Sequence, residues 1–431
     1  VPDLTFSRRT ALAAGAAAAV SLATRATAAA KTAFPAGFLW GAASAAHQVE
    51  GGNSNSDAWL LEGVPDGGFK EPSLDACDHY NRYAQDVALL ASLGLNTYRF
   101  SIEWARIEPV KGRFSQVELD HYRNVLLACR KHGLKTVVTL HHFTSPVWFA
   151  RDGGFEDKSA VALFTRYAET VVRHCGDLID YLCTFNEANL SFTQFLPPPV
   201  VASIQAAGKR ASGSAKFSTF LFDDVAVSKP ILRACHTSAR AAIKAIRPGL
   251  PIGQTLAMSD IQDDPAAPGF GAAARSALYD VWLDLAKSDD FVGVQNYTRE
   301  RFGPKGPIDP PADAIRSQLG QEVYAPSLAG AVRYAASVAK VPVLVTEHGV
   351  GHTDDAVRVR LIDESLPPLR KVMDEGVRVL GYIHWSAMDN FEWAFGYGPK
   401  FGLMAVDHAT FARTVKPSGR RLGAIAKANG V

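Results

Sequence analysis

Short apolar runs and longer amphipathic stretches alternate along the chain from about residue 34 onward. Eight runs of strand length stand out, at 38–43, 97–101, 135–141, 181–186, 251–256, 291–296, 342–346 and 379–385. Those richest in β-branched and aliphatic residues, such as Val343-Leu344-Val345-Thr346, read as short, fully buried strands. Between the runs, segments such as 78–93, 117–132, 161–177 and 231–246 carry apolar residues at helical spacing, and His132-Gly133 and Arg247-Pro248-Gly249 supply stop signals. Strands that alternate with helices pair in parallel. Eight such units, with no GxGxxG after the first strand, predict an α/β fold of the closed (β/α)8 TIM-barrel type over residues 31–431, in one domain. The stretch 197–230, with Pro197-Pro198-Pro199 and several Gly and Ser, reads as a long loop over the barrel mouth.

In such a barrel the active site lies at the C-terminal ends of the strands. Gln48, Arg99, His141, His142, Asn186, Glu187, Tyr297, Glu347 and Trp385 collect there. Two stretches share one grammar: Val343-Leu344-Val345-Thr346-Glu347-His348-Gly349 and Tyr181-Leu182-Cys183-Thr184-Phe185-Asn186-Glu187 each deliver a glutamate at a strand tip. A carboxylate so placed has a rigid base and an open mouth. Either glutamate alone reads more readily as a solvated loop acid; the pair suggests the carboxylate chemistry of glycoside hydrolysis.

Composition adds little to this picture but excludes some classes. The 431 residues are 47% hydrophobic and 20% charged, with a net charge of +2, which gives no case for a nucleic-acid or anionic-membrane partner. Residues 1–30 stand apart. Ser7-Arg8-Arg9, an Ala-rich run from Ala11 to Ala23, and small residues at Ala26-Thr27-Ala28 or Ala28-Ala29-Ala30 are similar to a twin-arginine export signal with its cleavage site, a Sec-type signal or an Ala-rich tail being the alternatives. The apolar run is too short to span a bilayer. Five cysteines without CxxC or Cys/His spacing predict buried thiols, one disulfide at most, and no zinc site.

Five motifs then bring a family into view: Phe38-Leu39-Trp40-Gly41 through His47-Gln48-Val49-Glu50-Gly51; Tyr98-Arg99-Phe100-Ser101-Ile102-Glu103-Trp104; Thr184-Phe185-Asn186-Glu187; Thr346-Glu347-His348-Gly349; and Trp385-Ser386 through Asp389-Asn390-Phe391-Glu392-Trp393. In this order they resemble glycoside hydrolase family 1, the β-glucosidase family, from Phe34 to about Lys427. The resemblance implies that Glu347 is the nucleophile and Glu187 the acid/base of a retaining exo-β-glycosidase, most closely a β-glucosidase, with a small-molecule β-glycoside or short oligosaccharide as substrate and no metal or cofactor. Such a mechanism needs the two carboxyl groups ~5–5.5 Å apart, and like charges that close push their pKa values apart. The resemblance also places Arg99 and Tyr297 beside the nucleophile and Asn186 at the sugar 2-OH. It assigns substrate binding to Gln48, His142, Trp385, Glu392, Trp393 and Phe401. Glu392 would repel a phosphate, so an unphosphorylated sugar is expected.

The chain departs from the family pattern at Ala188, where a proline is usual; at His348, where an asparagine is usual; and at Gln295-Asn296 before Tyr297. Phe143 and Thr144 replace a Trp and an Asp. Trp148 reads equally as a leaving-group contact or as core packing, and the aglycone side of the pocket is expected from residues 53–73 and 197–230. The same site residues would serve a β-galactosidase, a β-fucosidase or a transglycosylase. A sugar-binding barrel without catalysis is the rival of another class; the presence of both carboxylates weighs against it.

Overall fold

The computed structural model describes residues 33–431 apart from residue 195; the export signal expected in 1–30 lies outside the described residues. Barrel strands form at Leu39–Ala43, Thr97–Ser101, Lys135–His141, Tyr181–Phe185, Ile252–Gly253 with Thr255–Ala257, Val292–Asn296, Val343–His348 and Val379–Trp385. Every pairing among them is parallel, and the order runs round from the Ile252–Gly253 piece through the fourth, third, second, first, eighth, seventh and sixth strands to the Thr255–Ala257 piece. The two end pieces are halves of one fifth strand interrupted at Gln254. The sheet therefore closes on itself as a (β/α)8 barrel, and its nine pieces are eight strands.

Each strand is followed by an outer helix: His79–Leu93, Gln116–Lys131, Ala160–Cys175, Val225–Ile246, Val281–Ala286, Ser327–Ala339, Asp355–Asp374 and Pro417–Ala428. Local chemistry sets several of their ends. The side chains of Ser115, Asp224 and Asp354 accept the first free helix N–H groups. Gly94, at φ +104°, closes the first helix in a conformation that Cβ-bearing residues avoid.

Burial falls into two layers, as a barrel requires. One cluster, with Ala43, Val137, Cys183, Leu344, Ile383 and Trp385, fills the inside of the barrel; a larger one packs the strands against the helices. All five cysteines are buried and none forms a disulfide.

The stretch 197–230 is not the loop that its prolines suggest. It holds a helix, Pro198–Ser212, and the start of Val225–Ile246. Pro198 and Pro199 occupy the first turn, where a helix has no N–H partner to lose, and an Ala-rich segment follows. Pro230 sits inside the second helix, which runs on for sixteen residues after it. Packing of its apolar face (Ile231, Leu232, Cys235, Ala239, Ile243) outweighs the missing hydrogen bond.

Candidate active site

Arg99 is the third residue of the second strand, fully buried in the barrel interior, and it joins three strands. Its Nη1 donates to Glu347 Oε1 at the end of the seventh strand, and its Nη2 donates to Asn186 Oδ1 at 2.6 Å, just past the fourth. The Tyr297 hydroxyl donates to the other Glu347 oxygen, Oε2. Both Glu347 oxygens are thus held, and the carboxylate is aimed by two donors on different strands.

Glu187 is held differently. Among the described residues its carboxyl has no hydrogen-bond partner. Its backbone lies in the left-handed region, at φ +45°, which a non-glycine residue adopts at a cost of ~1–3 kcal/mol and which gathers at functional sites. Burial and the charge of Glu347 drive the Glu187 carboxyl well above the usual carboxylate range, against the opposing Arg99. Burial raises Glu347 as well, but the Arg99 guanidinium and the Tyr297 hydroxyl pull it back. The two acids are therefore pushed apart in acidity, with the proton on Glu187.

Beside this pair stands a polar fork. Gln48 Nε2 donates to Phe391 O at 2.8 Å, to Asn390 Oδ1 at 3.1 Å and to Glu392 Oε2 at 3.3 Å, and Gln48 Oε1 has no partner among the described residues. Burial and the Glu347 charge push Glu392 up to about 8, with hydrogen bonds from Trp385 and Gln48 opposing. His142 stacks between Trp385 and Trp393, with centroids at 5.7 and 6.2 Å, and its Nδ1 has no partner among the described residues. Burial and the nearby Arg99 charge hold its pKa well below the usual value, so its ring is neutral. Phe401 closes the wall, edge-on to Tyr297 at 5.9 Å. Buried acceptors and donors without protein partners, beside indole faces, match the two demands of a sugar ring: hydroxyl groups at its edge and C–H on its face.

The residues given catalytic or binding roles from the sequence thus converge on one site: Glu187, Glu347, Arg99, Asn186, Tyr297, Gln48, His142, Trp385, Glu392, Trp393 and Phe401. His141, expected at the same strand ends, instead has Nε2 2.9 Å from Ser145 Oγ and packs against Phe155, Phe185 and Phe220. The departures resolve individually. His348 points behind the strand, with Nδ1 2.9 Å from the Tyr382 hydroxyl and Nε2 3.4 Å from Ser365 Oγ. Thr144 donates to Glu103 Oε2 at 2.7 Å, and Phe143 packs edge-on to Trp393. Trp148 belongs to the packing: its Nε1 donates to Glu108 O at 2.8 Å and its ring meets Trp104 edge-on. The two segments expected on the aglycone side meet at a cavity of about 580 Å³, lined by Leu61 from one and by Ile204, Phe217, Phe222 and Asp223 from the other; none of the site residues named above lines it.

Two further residues belong to the site: Thr255, which carries no sequence signal of its own, and Gln295, which the sequence marks only as a departure from the family pattern. Gln295 Nε2 donates to Asn186 Oδ1 at 2.7 Å and to Thr255 Oγ1 at 3.1 Å. Only the closing of the ring brings these strands together.

Comparison with known proteins agrees with this geometry. The sequence profile of Glycosyl hydrolase family 1 matches residues 30–212 and 310–431, and Thr255, Gln295 and Tyr297 fall in the stretch between. The β-glucosidase of Agrobacterium sp. (strain ATCC 21400) is 31% identical over 91% of this chain and 95% of its own. The crystal structure of β-glycosidase BGL167 superposes with a TM-score of 0.88 at 46% identity, covering 92% of this chain and 98% of that one. The β-glucosidase from Thermotoga maritima in complex with noeuromycin gives 0.81 at 26% identity, covering 93% and 100%. The chain belongs to Glycosyl hydrolase family 1 and is a β-glucosidase-like glycoside hydrolase.

Proposed function

We propose that the chain is a retaining, exo-acting β-glycosidase that releases terminal β-D-glucosyl residues, with Glu347 as nucleophile and Glu187 as acid/base. The observation that carries the reading is the unequal treatment of two buried acids. Glu347 has both oxygens hydrogen-bonded, to Arg99 and Tyr297, whereas among the described residues Glu187 has none bonded, and burial with the Glu347 charge favours its protonated form. In the first step the Glu347 carboxylate attacks the anomeric carbon, the bond to the leaving oxygen breaks, and the Glu187 proton goes to that oxygen. In the second step the Glu187 carboxylate takes a proton from water, whose oxygen displaces Glu347 and restores the β configuration. Asn186 Oδ1 is taken up by Arg99 and Gln295, so its Nδ2 is left for the sugar 2-OH.

Trapping with a 2-fluoro glucoside tests the reading. A covalent label on the Glu347 peptide is expected, with none in Glu347→Gly. A label elsewhere, or no label in an active enzyme, would overturn it. We further infer export through Ser7-Arg8-Arg9; activity that stays with the cytosol when the full chain is expressed in its bacterial host would refute this.

A further inference from the structure

We infer that Thr255, on the interrupted fifth strand, is a positioning residue that holds the backbone of Glu187 in its left-handed turn. The inference rests on the acid/base role proposed for Glu187. Thr255 Oγ1 accepts the Glu187 N–H at 3.2 Å and the Gln295 Nε2 amide at 3.1 Å. It donates toward Phe185 O at 3.2 Å, with Asn186 Oδ1 slightly farther at 3.4 Å. A hydroxyl has one proton and two acceptor sites, so all of its capacity is used here. One side chain thereby grips the main chain on both sides of Asn186, and the residue it grips downstream is the strained one.

The surroundings are built to admit this side chain. Thr255 pairs with Gly293 of the sixth strand, and a Cβ at Gly293 would meet Thr255 Cγ2 at 2.6 Å. A glycine there makes room for the threonine methyl beneath the site. Arg99 has donors only, so it turns Asn186 Oδ1 toward itself. Gln295 must then present its own NH2 group to that oxygen and to Thr255. The result is one chain of hydrogen bonds from Arg99 through Asn186 and Gln295 to Thr255 and the Glu187 N–H. A left-handed glutamate persists only where its surroundings over-determine it, and Thr255 is the side chain that bonds its N–H.

Thr255→Val keeps the shape and removes the hydroxyl; Thr255→Ser keeps the hydroxyl and removes the methyl. A carboxyl displaced by a fraction of an ångström matters most where the leaving oxygen needs a full proton. Thr255→Val is expected to lower kcat/KM for an alkyl β-glucoside by ~10–100-fold and for a dinitrophenyl β-glucoside by under about threefold. Thr255→Ser should recover most of the loss. A merely structural role would shift the melting temperature and slow both substrates alike, and that outcome overturns the inference, as does failure of serine to rescue. Should Thr255→Val not fold, Thr255→Ala carries the same comparison with less crowding. Glu187→Gln separates the underlying reading: if that variant shows no dependence on the leaving group, the acid/base assignment itself fails.

Discussion

Arg99 and Asn186 meet inside the barrel, Nη2 to Oδ1 at 2.6 Å, while the other amino group of the same guanidinium pairs with Glu347. One planar fork therefore sets both the proposed nucleophile and the amide expected at the sugar 2-OH, and a single ammonium cannot reach both. Arg99→Lys is expected to lower kcat by about 10²–10³-fold, the scale for losing one preorganised donor at a reacting centre. Steady-state kinetics, with circular dichroism to confirm the fold, decides it. A lysine variant within threefold of the parent would mean that the fork is dispensable.

Glu187 carries a proton because burial and Glu347 oppose its charge. Without a proton donor, cleavage depends on how well the leaving oxygen bears negative charge. Glu187→Ala should slow alkyl glucosides by orders of magnitude and activated aryl glucosides least, and added azide should restore turnover as a β-glycosyl azide. Equal losses on both substrate types, without rescue, would count against the assignment.

The same acid gives the pH profile a definite sign. Its folded pKa is raised, so the active, protonated form is present below that value and lost as pH rises through it. An alkaline limb in kcat/KM is expected for the parent, and it should vanish for Glu187→Gln assayed on an activated substrate. Persistence of the limb in that variant would assign it to another group, for which Glu392, raised to about 8, is the first candidate.

The barrel and its chemical residues are legible in the sequence because both obey short-range rules. Buried parallel strands are unbroken apolar runs, and the candidate groups lie at or just past their ends; Glu187 and Glu347 are singled out in this way. What escapes is whatever depends on the closing of the ring. Thr255 and Gln295 touch Asn186 across 69 and 109 residues of chain, and neither residue type marks a site by itself. The break at Gln254 has the same origin, since one run of apolar residues cannot show where its ladder pauses. The misread helix Pro198–Ser212 is different: its prolines lie in the first turn, where they start a helix and do not break it.

Asp57 makes the opposite bargain to Glu347, and its energetics can be tested apart from catalysis. It is 1% exposed; Oδ1 accepts from Ala58 N and Ser145 N at 2.9 Å each, while Oδ2 has no partner among the described residues. Burial, with a contribution from Glu103, pushes it from 3.8 up to about 7 against those two N–H groups. Between these values the folded chain keeps a proton that the unfolded chain releases, so folding loses stability as pH rises from about 4 to 7. A shift of this size corresponds to something on the order of 1–4 kcal/mol at pH 8. Asparagine preserves an acceptor at Oδ1 and cannot ionise. Asp57→Asn should therefore match or fall slightly below the parent in melting temperature at pH 4.5 and exceed it at pH 8, with the crossover between. A difference that stays constant across that range would show that Asp57 is not held neutral in the folded state, and that its unpartnered oxygen is charged.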